Sequence, residues 1–138
     1  MSSRELIRNQ ILLKAREADK MMKMILENPD LPKEMVCECV HKYVCSKFYL
    51  ELEEAEGLTM SELAEKSIDK ALDLGMPLAK ENEMATTCGA AGDGPMKIAL
   101  LLNTMKKDFQ LTIEPRRLGM VADTKELGQL IYESRFQK

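Results

Sequence analysis

Leu58-Thr59-Met60-Ser61-Glu62-Leu63-Ala64-Glu65-Lys66-Ser67-Ile68-Asp69-Lys70-Ala71-Leu72 is the stretch whose period settles the fold class. Thr59 and Glu62 have the spacing of a capping box, and Leu58 with Leu63 fits the hydrophobic staple around it. Ala64, Ile68, Ala71 and Leu72 then recur in steps of one helical turn, which places them on one buried face. Gly75 followed by Met76-Pro77 is a strong carboxyl-terminal stop.

The same period extends in both directions. Toward the amino terminus, Leu6, Ile7, Ile11, Ala15, Ala18, Met22 and Ile25 predict a helix over Arg4 to Asn28, closed by Asn28-Pro29-Asp30-Leu31-Pro32. Val36, Val40, Tyr43, Val44 and Phe48 predict a second helix from about Lys33 to Glu56. Its end carries Glu51, Glu53, Glu54 and Glu56, an unfavourable charge against the helix dipole, so fraying is expected there before Gly57. The two helices read as a helical hairpin.

Toward the carboxyl terminus, a long connection over residues 77–94 leads to a helix opening near Pro95, with Ile98, Leu101, Leu102, Met105 and Phe109 inward. Leu111 to Val121 is a short connection containing Pro115 and Gly119. Asp123 and Glu126 repeat the capping-box spacing and open a last helix, with Leu127, Leu130 and Ile131 inward. No internal repeat and no low-complexity segment is legible. The expectation is an all-α chain: a helical hairpin over residues 1–57 and a helical module over residues 58–138.

Composition agrees. The chain has 138 residues, with a hydrophobic fraction of 45%, a charged fraction of 31% and no Trp, a globular balance suited to helix-on-helix packing. A net charge of -3 argues against nucleic acid as a partner, since phosphate binding needs a basic face. Met1 to Arg8 is polar and charged, and no apolar run reaches the length of a signal core or a membrane span. A cytoplasmic protein with reduced thiols is the expectation.

Residues 59–138 resemble an acyl or peptidyl carrier protein. Two stretches carry the likeness. Met105-Lys106-Lys107-Asp108-Phe109-Gln110-Leu111-Thr112-Ile113 is similar to the end of that family's second helix and its Pro-containing connection. Asp123-Thr124-Lys125-Glu126-Leu127-Gly128-Gln129-Leu130-Ile131 is similar to its last helix. The resemblance implies a carrier-like helical bundle. It also implies an attachment serine in an Asp-Ser-Leu sequence at the start of the second helix, where the phosphopantetheine arm is loaded. That serine falls on Gly94 or Pro95 here, with Asp93 for the Asp and Met96 for the Leu, and no serine occurs between Ile68 and Glu133. The attachment slot is therefore degenerate, and no cofactor is expected. Lys97, Lys106 and Lys107, with Arg116 and Arg117 just after, reverse the acidic character of the helix that carrier partners read.

Other constellations read more plainly. Cys37, Cys39, His41 and Cys45 have metal-ligand chemistry, but on a helix Cys37 and Cys45 stand about 12 Å apart along the axis, too far for one ion. No metal is expected. Gly89-Ala90-Ala91-Gly92-Asp93-Gly94 lacks the Lys-Ser/Thr and the preceding strand of a phosphate cradle. Cys88, in the same loop, is an ordinary thiol unless its pKa is lowered. One His with no recognisable nucleophile beside it gives catalysis little support.

The resemblance and its missing serine imply a non-enzymatic, carrier-like partner of an acyl- or peptidyl-handling biosynthetic enzyme. Partner binding is expected at Asp93, Met96, Lys97 and Leu100. Two further readings stay open: a working carrier with an atypical attachment site, and a generic helical oligomerisation module that forms homo-oligomers.

Overall fold

The computed structural model describes residues 3–74 and 94–136. Among them the chain is all-helical, with seven helices and no strands. These are α1 (Ser3–Glu27), α2 (Lys33–Lys47), α3 (Leu52–Ala55), α4 (Met60–Leu74), α5 (Gly94–Asp108), α6 (Pro115–Gly119) and α7 (Thr124–Phe136). The capping predicted for α4 is present in both directions: the Glu62 amide donates to Thr59 Oγ1 at 3.2 Å and the Thr59 amide to Glu62 Oε1 at 3.0 Å. At α7 the Glu126 amide donates to Asp123 Oδ1 at 2.9 Å.

The second helix is shorter than its sequence predicts. It ends at Lys47, where the Leu50 amide donates to the Cys45 carbonyl at 2.8 Å and the Tyr49 amide to the Ser46 carbonyl at 3.2 Å. This is a Schellman closure, which needs a left-handed residue after the helix. Tyr49 takes that conformation at φ 64° although it carries a Cβ. The closure turns the chain before the acidic run, so the carboxylates serve the start of α3 instead of burdening the end of α2. Glu51 and Glu54 cap α3 reciprocally. Lys70 on α4 ties down Glu54 at 2.7 Å. Burial opposes ionisation of Glu54, but the Lys70 ammonium and the Glu51 amide, with Lys66 nearby, together outweigh it and hold the carboxyl below its usual range.

α5 ends in the same way. The Leu111 amide donates to the Lys106 carbonyl at 2.9 Å, the Gln110 amide to the Lys107 carbonyl at 3.3 Å, and Gln110 has φ 54°. The likeness extends in both directions. Each half runs from a fifteen-residue helix through a Phe-X-Leu closure and a short helix to a capped helix. Burial matches position by position: Val36 with Lys97, Val40 with Leu101, Val44 with Met105, Phe48 with Phe109, Leu50 with Leu111. In the capped helices Met60, Leu63, Ala64 and Ser67 match Thr124, Leu127, Gly128 and Ile131, all buried. The chain therefore contains an internal repeat that its sequence conceals.

The two units pack reciprocally: α2 lies against α7, and α4 against α5. The Met60 amide donates to the Ala122 carbonyl at 2.8 Å, joining the entries to α4 and α7. Tyr43 and Phe109, one from each unit, meet edge to face at 4.9 Å, and the Tyr43 hydroxyl donates to Asp108 at 2.8 Å. Such a ring pair contributes about 0.5–1.5 kcal/mol beyond burial. The buried Ser67 hydroxyl donates to the Phe48 carbonyl, an orphan acceptor at the end of α2. α1 stands outside the repeat and packs along α2 through Ile11, Ala18 and Ile25, one residue every second turn.

Candidate interaction surface

The degenerate slot lies at the start of α5. Gly94 is its first residue, Pro95 is exposed in its first turn, and neither has a nucleophilic side chain. Asp93 lies outside the described residues, as do Cys88 and the glycine run from Gly89 to Gly92. Met96 is exposed, and Leu100, one turn further on, is half-buried. Lys97 points the other way. It is only 7% exposed and its ammonium lies 5.9 Å from the centre of the Phe48 ring. The repeat gives the reason: Lys97 stands where α2 places Val36, a core position. Its lysine identity suggested a solvated side chain, and only the concealed repeat marks the position as interior.

Beside Pro95 a groove of about 410 Å³ opens between α5, α6 and the first turn of α4. Its floor is apolar, with Ile98, Ala99, Leu102 and Leu118. Ser61, Asn103 and Lys106 give its edge polar groups. Lys107, Arg116 and Arg117 are exposed nearby in sequence, and none of these cations makes an ion pair among the described residues. Ser61 is a hydroxyl with no mark in the local sequence to associate it with the slot, because it is brought there by the packing of α4 on α5.

Cys37 and the imidazole serve the α2–α7 contact, and Cys45 lies beside the imidazole on α2 itself. His41 Nδ1 lies 2.7 Å from Thr124 Oγ1, and its Nε2 lies 3.7 Å from Cys45 Sγ. Cys37 donates to the Lys125 carbonyl at 3.7 Å. Burial lowers the His41 pKa and raises that of Cys45 to about 11. A thiol held protonated at 2% exposure is a poor nucleophile, so this Cys–His pair packs rather than reacts. Among the described residues no three His, Cys, Asp or Glu side chains gather as a metal site, and no helix is long and apolar enough to cross a membrane.

No protein-family model matches the chain, and neither does any curated protein or solved structure.

Proposed function

We propose that this chain is a non-enzymatic, carrier-like protein that acts as an interaction or regulatory partner of an acyl- or peptidyl-handling biosynthetic enzyme, without itself bearing a phosphopantetheine arm. One observation carries the reading: an apolar groove opens beside a helix start that has no nucleophile in the slot, at Gly94 and Pro95. A surface shaped this way can bind without transferring anything. The place of action in this reading is the cytoplasm, where Cys37, Cys39 and Cys45, all free thiols, stay reduced.

The test is a photo-crosslinking residue placed at Met96 in the native host. Recovery of an acyl- or peptidyl-handling enzyme is the expected result. Repeated recovery of none, with the crosslinker demonstrably active, overturns the reading. The working-carrier alternative gains one specific support, the hydroxyl of Ser61 on the same groove. Incubation with a broad phosphopantetheinyl transferase and intact mass measurement decides it. A gain of one arm, abolished in Ser61→Ala, would replace the proposal.

A further inference from the structure

The internal repeat indicates what the outer face of α5 receives. Positions of α2 and α5 correspond along their whole length, and their burial agrees on the core side. The units diverge together on one face. Cys39, Lys42, Cys45, Ser46 and Tyr49 are each more buried than their counterparts Leu100, Asn103, Lys106, Lys107 and Gln110. The cause in the first unit is α1. Lys14, Glu17 and Met21 of α1 share a cleft with Lys42, Cys45 and Ser46, the Ser46 hydroxyl donates to Glu17 at 3.4 Å, and the Tyr49 hydroxyl donates to Gln10 at 3.1 Å. Among the described residues nothing comparable to α1 covers the corresponding face of α5: Asn103, Lys107 and Gln110 are exposed, and Leu100 and Lys106 are half-buried.

We infer that this face of α5 is a seat for an amphipathic helix of a partner protein that carries a carboxylate at the place of Glu17, lying on α5 as α1 lies on α2. The charge follows from the correspondence. Where Ser46 meets Glu17, the second unit presents Lys107, and where Cys45 stands it presents Lys106. A carboxylate on the incoming helix at the place of Glu17 would meet an ammonium instead of a hydroxyl, a stronger charge-assisted contact. Leu100 and the exposed Met96, one turn before it on the same face, take its apolar side. The inference rests on the reading of the chain as an interaction module and gives its partner a chemistry.

The probe is a synthetic peptide with the sequence of residues 9–28, titrated into the isotope-labelled full chain and followed by amide shifts. Saturable shifts at Leu100, Asn103 and Lys107 are expected, with a Kd on the order of 100 μM, typical of a short helix that must order on binding. Lys107→Glu, a change at an exposed site, should weaken binding about tenfold, and a peptide carrying Glu17→Lys should recover it. No saturable shift up to about 2 mM peptide, more than tenfold above that Kd, would overturn the inference. So would shifts confined to α1 and α2, which mark displacement of the resident helix, or indifference to Lys107→Glu. The two proposals fail separately. An acyl-handling enzyme captured from another face leaves the functional reading standing and removes this one. Peptide binding without such an enzyme does the reverse.

Discussion

At the scale of single residues, Gly128 sets how closely the two units approach. A Cβ there would lie 2.6 Å from the Cys37 Cα and 2.9 Å from its Sγ. The first of these is backbone, which cannot swing aside. Gly128→Ala gains about 1 kcal/mol of helix propensity but forces α2 and α7 apart, and overpacking of this kind costs about 1–3 kcal/mol. The expected outcome is a net loss of stability, larger for Gly128→Val, read as a lower denaturant midpoint. His41 lies at the same contact and gives it a pH dependence. Burial lowers its pKa below 6.5, so the unfolded chain binds the proton more readily than the folded one. Stability from this source is complete above pH 6.5 and is lost as pH falls below it. Melting temperature should therefore drop between about pH 7 and 5, and His41→Gln should flatten that part of the profile.

At the scale of elements, the starts of the long helices were legible, whereas the end of α2 and the short helices were not: α3 was read as part of α2, and α6 lies in what reads as the connection Leu111 to Val121. Thr59, Glu62, Asp123 and Glu126 announce α4 and α7 because capping is a local bargain between neighbouring side chains and amides. Lys47 ends α2 without the Gly or Pro that would announce it. Tyr49 and Gln110 are held left-handed because Phe48 and Leu50, and Phe109 and Leu111, are drawn into a shared interior. That force is tertiary and leaves no local mark. The two closures predict opposite responses to glycine. Gln110 is exposed, so Gln110→Gly should stabilise the chain by about 0.5–1 kcal/mol through relief of the left-handed strain. Tyr49 is 3% exposed and donates to Gln10, so Tyr49→Gly should destabilise it despite the same relief. Urea titration of both variants checks the pair, and a destabilising Gln110→Gly would refute the account. The repeat was illegible for a related reason. The units share burial at matched positions, while only Phe48, Leu50 and Leu63 keep their identity in Phe109, Leu111 and Leu127, and Val36 opposite Lys97, Met60 opposite Thr124 and Ser67 opposite Ile131 change chemistry outright.

At the scale of the molecule, one buried cluster draws on all seven helices among the described residues. α7 rests chiefly on α2, so a cut between residues 57 and 58 removes its main support. Residues 58–138 expressed alone are expected to lack a cooperative melting transition, and adding residues 1–57 in trans should restore one. A sharp transition in the isolated fragment would count against this. The reciprocal packing of the units also bears on how the chain is made. α2 is synthesised well before α7, and at translation rates of about 5–20 residues per second the wait is roughly 4–15 s. Cys37 and His41 lack their α7 partners during that interval, and contacts this distant in sequence are slow to form even in the finished chain. The period of greatest exposure to aggregation is thus the time on the ribosome, and slower decoding between residues 48 and 123 would prolong it.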